Sequence, residues 1–132
     1  KKTMVLENLV GRIGLTNAAV VTGRGEELRG EQAFDLVVAR AVAPLADLVR
    51  WTRPLVKNRP EGNLIGAVPT KGGRVPAPQL LALKGGDLER EIAGAKLAGG
   101  VKAITVINIA FDGSLPMGLE DKKLVLMEFH NT

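Results

Sequence analysis

Residues 34–55 read FDLVVARAVAPLADLVRWTRPL, and the pattern of this segment gives the clearest indication of the fold class. Its first part, Phe34 to Ala39, is an apolar run without the polar alternation of a half-exposed strand, so it predicts a buried, parallel strand. After Arg40 the apolar residues recur at helical spacing, with Pro44 in the first turn. They are Leu45, Leu48, Val49, Thr52 and Leu55. A buried strand followed by an amphipathic helix predicts an α/β layered sheet.

The segments before this unit add a helix and a strand. Apolar residues recur at helical spacing from Lys2 to Ile13, which predicts an amphipathic helix at the start of the chain. The β-branched run from Ala18 to Thr22 predicts another buried strand. Only eleven residues separate it from Phe34, too few for a full crossover helix. The two strands need not be neighbours if the sheet reverses its strand order between them. Ligands bind at such a point of reversal in α/β sheets.

The segments after the unit continue the alternation. Leu80 to Lys84 predicts a third buried strand, and Asp87 can cap a helix with Leu88, Ile92 and Ala95 on one face. Two further strands are predicted at Ala103 to Phe111 and at Lys123 to Phe129. Between them, Asp112 to Lys122 shows no helical period, so these strands are expected to pair as an antiparallel hairpin.

The region Pro60 to Pro78 contains four prolines and four glycines and is predicted to be a loop. Asn63 to Val68 within it is a candidate for one extra strand. Because the alternation of helices and strands resumes directly afterwards, this loop does not divide the chain, and residues 1–132 are expected to form one domain.

Composition excludes several kinds of function. The chain has no cysteine, which excludes disulfides and thiolate metal sites, and its single histidine, His130, supports neither a catalytic triad nor a metal cluster. No metal site and no catalytic residue is assigned. No apolar run approaches the ~20 residues that cross a bilayer, so no membrane association is expected. The chain also lacks the glycine-rich phosphate loops of nucleotide-binding proteins.

Two basic residues stand where predicted strands end. Arg40 follows Phe34 to Ala39, and Lys84 ends the strand that begins at Leu80, so both mark the carboxyl ends where α/β sheets bind ligands. Position alone equally allows a surface salt bridge at Arg40.

A run of positive charge follows the first helix of this unit. Between residues 50 and 74 there is one acid, Glu61, and there are six basic residues: Arg50, Arg53, Lys57, Arg59, Lys71 and Arg74. Contact with a phosphate backbone is one explanation, and a solvated loop is the other. Aromatic residues make up 3% of the chain, so a base-stacking platform is not expected.

Several short motifs occur in an order that resembles the GidB/RsmG family of methyltransferases. These are Lys1-Lys2 before Val5-Leu6, Gly14-Leu15-Thr16-Asn17, Gly23-Arg24-Gly25-Glu26-Glu27, Phe34-Asp35, Ala39-Arg40-Ala41-Val42-Ala43, Leu45, Trp51, Pro54-Leu55 and Ala82-Leu83-Lys84-Gly85. The resemblance runs from Lys1 to about Asp87 and continues more loosely through the final strand pair. The motifs around Arg40 and Lys84 are the most specific.

The resemblance implies a class I methyltransferase (Rossmann-like) sheet, mostly parallel, with a C-terminal antiparallel hairpin. It implies transfer of a methyl group from S-adenosylmethionine to N7 of a guanine in small-subunit rRNA. By motif, Gly25, Glu26 and Arg40 are the expected cofactor-binding residues. The expected substrate-binding residues are Lys84, Arg50 and Arg53. An intracellular location follows, in the bacterial cytoplasm or in an organelle such as the chloroplast.

The chain also departs from the family pattern. The family's glycine-rich cofactor loop and the acid that binds the ribose would lie upstream of Lys1, so residues 1–132 correspond to part of the domain and are expected to be inactive alone. The segment Pro60 to Pro78 is longer than the family's turn. Two other functions stay open: a non-catalytic α/β module that binds RNA or protein, and, less favoured, a nicotinamide-dependent oxidoreductase.

Overall fold

The computed structural model describes residues 2–24, 27, 33–40, 43–60, 67–109 and 121–131. Within them the chain forms three helices and six strands. The helices are α1 (Lys2–Arg12), α2 (Leu45–Thr52) and α3 (Glu89–Ala98); the strands are β1 (Val37–Arg40), β2 (Val68–Thr70), β3 (Gly73–Val75), β4 (Leu80–Gly85), β5 (Val101–Asn108) and β6 (Lys122–Phe129). The chain is therefore of the mixed α/β class.

Four of these strands form one sheet in the order β1-β4-β6-β5. β1 and β4 are parallel, because helix α2 and the chain after it return to the same end of the sheet. β6 lies between β4 and β5 and is antiparallel to both. The predicted antiparallel pairing of the two C-terminal strands is confirmed.

The hydrophobic core lies between one face of this sheet and helices α2 and α3. Each strand contributes alternate residues to that face, since successive side chains point to opposite sides. The fully buried side chains include Leu45 and Val49 from α2, Leu80 from β4 and Val125 from β6. The faces predicted for the two helices α2 and α3 are confirmed, with Leu88 and Ala95 buried and Ile92 packed against the same cluster.

The predicted strand at Ala18 to Thr22 is wrong. None of these residues is in a strand, and Val21 is 70% exposed. A strand is stabilised by hydrogen bonds to a neighbour and by a buried face, and within the described residues this segment has no strand partner. Helix α1 is present but buries none of its residues.

Two other predictions need correction in their bounds. The strand expected from Phe34 begins at Val37, and Phe34 makes only an isolated parallel bridge with Val56. Strand β1 is also less buried than predicted, since Val38 is 65% exposed. The reason is that β1 has only one neighbour in the described sheet. Of the extra strand expected at Asn63 to Val68, residues 63–66 lie outside the described part and only Val68 is in a strand; the structure instead has the hairpin β2–β3 at residues 68–75.

Candidate functional site

The carboxyl ends of β1 and β4 lie side by side, because these strands are parallel and Arg40 pairs with Leu83. β6 is antiparallel to β4 and therefore begins where β4 ends, with Lys122 opposite Gly85. We call this end of the sheet the carboxyl edge and define it by four basic residues. They are Arg40, Lys84, Lys122 and Lys123. Open α/β sheets bind ligands at such an edge.

Arg40 is the last residue of β1, as the sequence predicted for a strand end, and it is exposed. Val37 and Ala39 pack against the core, so Arg40 projects from the opposite face of the sheet. No acid within the described residues lies within ion-pair distance of its guanidinium. Within the part of the chain that the structure describes, the salt bridge considered as an alternative therefore has no partner for Arg40.

Lys84 projects from the helix-covered face, because Leu80 and Ala82 of the same strand belong to the core. Its Nζ atom donates a hydrogen bond to the carbonyl oxygen of Ala43 at 3.0 Å. The same atom lies 3.0 Å from Oε2 of Glu91 in α3, and the Lys84 side chain is only 12% exposed. Lys84 and Arg40 thus share one edge but occupy opposite faces of the sheet. The contacts of Lys84 tie the segment after β1 to α3.

Arg50 and Arg53 of the predicted basic run have different environments. Arg50 is exposed, and its guanidinium pairs with Asp47 at 2.8 Å within the same helix. Arg53 directs its guanidinium to the turn after α3, where Nη1 donates to the carbonyl oxygen of Gly99 at 3.5 Å. Its Nε atom is buried and makes no hydrogen bond. Arg53 therefore packs against Gly99 and Gly100, while Arg50 keeps contact with solvent.

Arg59, another member of that run, binds the backbone rather than solvent. Its guanidinium donates to the carbonyl oxygens of Ala77, Asp35 and Pro78, the last two at 2.9 and 3.0 Å. Its backbone N–H donates to Oδ1 of Asn131 at 2.9 Å. These contacts lie at the opposite end of the sheet, so Arg59 joins the segment before β4 to the chain after β6.

Sequence reasoning missed Lys122 and Lys123. Lys123 projects from the same face as Lys84, and its Nζ atom donates to the carbonyl oxygen of Gly86. Lys122 projects from the other face, beside Gly85. The available signal was a pair of lysines at the start of an apolar strand. It could be used only once the antiparallel pairing showed which strand end they adjoin.

Gly25 and Glu26, the other residues expected at a cofactor, lie outside the described residues. In the described part of the chain, no group of three or more His, Asp or Glu side chains could hold a metal ion. Helices in that same part are all too short or too polar to cross a membrane.

Comparison with known proteins indicates the family of this chain. Residues 1–66 match the family model GidB, described as rRNA small subunit methyltransferase G. Among similar curated proteins, the ribosomal RNA small subunit methyltransferase G of Chlorobium luteolum is 43% identical over 95 residues, which cover 72% of this chain and 32% of that protein. The protein of the same name from Salinibacter ruber is 38% identical over 98 residues, covering 74% of this chain and 40% of the relative. The chain thus spans about a third of the length of the relatives it matches.

Proposed function

Because the chain belongs to the GidB family of small-subunit rRNA methyltransferases, we propose that it is part of an enzyme that transfers a methyl group from S-adenosylmethionine to N7 of a guanine in small-subunit rRNA. One structural observation carries this proposal. The parallel strands β1 and β4 end together, and at that edge the charge of Arg40 has no acidic partner among the described residues. An unpaired guanidinium at a strand end suits a ligand that bears carboxylate or phosphate groups.

The proposed methyl transfer does not require the protein to supply a general acid or a general base. S-adenosylmethionine supplies an electrophilic methyl group on a sulfonium. In the proposed transfer, the in-plane lone pair of guanine N7 would form the new N–C bond, and the C–S bond would break with its electron pair going to sulfur. No proton moves, so the reaction needs alignment and exclusion of water rather than a general base. The absence of an assigned catalytic residue is consistent with this reaction.

The residues of the chain would share the work as follows. Arg40 would bind the carboxylate end of the cofactor by charge, and Gly25 and Glu26 are proposed to contact its adenine side. Lys84 would support the substrate side by holding the backbone at Ala43. Arg53 holds the turn at Gly99, which leads into β5 at the end of the sheet opposite the carboxyl edge, so no substrate role is proposed for Arg53. Exposed Arg50 is proposed to contact RNA directly.

We propose that the sheet belongs to the class I methyltransferase, Rossmann-like type. The strand order β1-β4-β6-β5 supports this proposal, because the last strand inserts between two earlier ones and runs antiparallel to both. A ligand edge at the carboxyl ends of parallel strands agrees with a doubly wound sheet. The proposed location is intracellular, in a bacterial cytoplasm or an organelle.

The test uses the complete protein that carries this chain, since the chain corresponds to part of its relatives. Cofactor binding is measured by calorimetry, and methyl transfer is measured on small-subunit rRNA, with the modified guanine identified by mass spectrometry of nuclease fragments. We expect Arg40→Ala to weaken cofactor binding about 10- to 100-fold, the usual effect of losing a hydrogen bond to a charged group.

The matched control is Lys96→Ala, which removes an exposed basic residue from the last turn of α3, at the end of the helix that is remote from the carboxyl edge. This variant should bind cofactor like the wild type. A folded wild-type protein that transfers no methyl group to small-subunit rRNA would contradict the proposal. RNA binding without methyl transfer would instead favour a non-catalytic binding module.

A further inference from the structure

The turn after β4 is built from two glycines that the strand β6 approaches closely. Gly85 pairs with Lys122, and the backbone N–H of Gly86 donates to the carbonyl oxygen of Asp121 at 3.1 Å. Gly86 has a φ of +73°, a conformation that glycine adopts without strain. The start of β6 is therefore fixed against the end of β4.

The ammonium group of Lys122 lies directly over Gly85. A Cβ atom added to Gly85 would be 3.2 Å from Nζ of Lys122 and 3.6 Å from Oδ2 of Asp121. A contact of 3.2 Å is tighter than ordinary van der Waals packing, so a methyl group at position 85 would make the flexible end of the lysine move by a few tenths of an ångström, and a larger side chain would occupy its place. Its Nζ atom forms no ion pair with any acid in the described residues, Asp121 included.

Lys122 shares a face of the sheet with Arg40. Arg40 pairs with Leu83, and Leu83 and Gly85 point to the same side of β4, as Lys122 does across from Gly85. The backbones of Arg40 and Lys122 are about 12 Å apart, because they lie two strands apart in the sheet and are offset by two residues along the strand direction. Both side chains are long and carry charges without acidic partners among the described residues. One extended polyanion can therefore contact both.

We infer that Lys122, seated over Gly85 at the carboxyl edge, binds a backbone phosphate of the RNA substrate. This inference rests on the proposed function and assigns a residue to its substrate side. A lysine ammonium is a compact point charge, which suits a phosphate rather than the hydrogen-bonding edge of one particular base. Lys122 therefore contributes affinity and position, and it does not select the target guanine.

The test compares two routes to the same loss in the complete protein. Lys122→Ala removes the ammonium, while Gly85→Val keeps the net charge and fills the place of the ammonium with a branched side chain that suits a strand. Affinity for a small-subunit rRNA fragment is measured at several salt concentrations. We expect Lys122→Ala to weaken binding about 5- to 10-fold at low salt and to reduce the slope of log K against log salt by about 0.7 to 0.9.

Gly85→Val should weaken binding about 3-fold or more, and adding it to Lys122→Ala should have no further effect, because both changes remove one contact. The matched controls are Lys96→Ala and Gly94→Ala in α3. Lys96 is exposed, and a Cβ at Gly94 meets only Ala46 at an ordinary 3.8 Å. Both controls should bind RNA like the wild type.

The inference is overturned if Lys122→Ala keeps the affinity and salt slope of Lys96→Ala while the wild-type protein methylates rRNA. Failure of the proposed function looks different, because the wild-type protein itself would then transfer no methyl group. If Lys122→Ala does not fold, Gly85→Val decides alone, since its added atoms meet only the ends of exposed or half-buried side chains.

Discussion

Nζ of Lys84 lies 3.0 Å from Oε2 of Glu91, so an ion pair joins the end of strand β4 to helix α3. The same lysine donates to the carbonyl oxygen of Ala43, which follows strand β1. One side chain thus connects three segments that are separate in sequence. The lysine is 12% exposed and the glutamate 34%, so solvent screens the pair only in part.

Breaking this pair from either side should destabilise the fold. We expect Lys84→Met to lower the free energy of unfolding by about 2 kcal/mol, because it leaves the glutamate and the Ala43 carbonyl without their donor. Glu91→Gln should cost less, since Lys84 retains Ala43. Denaturant unfolding of both single variants and of the double variant gives the coupling energy. Strictly additive losses would mean that the pair contributes nothing.

A second prediction concerns the turn after α3. Gly100 has a φ of +82°, and a Cβ there would overlap the guanidinium of Arg53, reaching its Nε and Cζ atoms. Gly100→Ala therefore meets both backbone strain and a side-chain clash, and should lower the free energy of unfolding by about 2 to 3 kcal/mol.

Gly99 provides the matched control. Its φ is +84°, yet a Cβ at Gly99 would have nothing within 4 Å. Gly99→Ala should therefore show the backbone strain alone, about 1 to 3 kcal/mol, because a φ of +84° with a ψ of 156° is open almost only to glycine. Combining Gly100→Ala with Arg53→Ala should remove the clash and recover part of the loss seen for Gly100→Ala alone. No recovery in that double variant would show that Arg53 does not pack there.

The sequence predicted the helices and the C-terminal strand pair because their signals are local. Helical spacing from Leu45 and the absence of a period between residues 112 and 122 each express one element or one connection. The strand expected at Ala18 to Thr22 failed because a β-branched run records only propensity, and a strand also needs a neighbour. Whether a neighbouring strand is present depends on other parts of the chain and cannot be read from the run itself.

The candidate site was predicted in part for a similar reason. Arg40 and Lys84 could be placed at strand ends from the runs before them. The sequence could not predict that they lie on different faces of the sheet. The face of Arg40 depends on its register with Leu83, and the position of Lys84 depends on its contact with Glu91. Lys122 was missed because its position at the edge follows from the antiparallel pairing with Gly85, a contact between distant parts of the chain.

Gln79 is the subject of a third prediction. It is buried, and its Nε2 atom donates to the carbonyl oxygen of Lys57 at 2.8 Å, while Oε1 accepts from the backbone N–H of Phe129 at 2.8 Å. Gln79→Leu would leave both backbone groups without partners, and should lower the free energy of unfolding by about 3 kcal/mol. Gln79→Glu keeps the acceptor for Phe129 but places an oxygen against the Lys57 carbonyl.

The two Gln79 variants can be separated by pH. In Gln79→Glu a carboxylic acid can donate to Lys57 when protonated, so acid should recover part of the stability that is lost at neutral pH. Gln79→Leu should show no such recovery. Unfolding curves at both pH values measure this difference, and a stable Gln79→Leu variant would show that neither hydrogen bond contributes.

The last prediction concerns Asp121, whose carboxylate shares the Gly85 turn with Lys122. Oδ2 of Asp121 lies 3.6 Å from the position of a Gly85 Cβ, and the side chain is exposed. If this edge binds phosphate, the carboxylate repels the ligand, and Asp121→Asn should tighten RNA binding about 2- to 4-fold at low salt. The gain should fade towards high salt, because exposed charges are screened within about 10 Å at 0.1 M. Glu7→Gln, which removes an exposed acid from α1, is the control and should leave affinity unchanged. Weaker binding by Asp121→Asn would instead mean that the carboxylate positions the turn for its ligand.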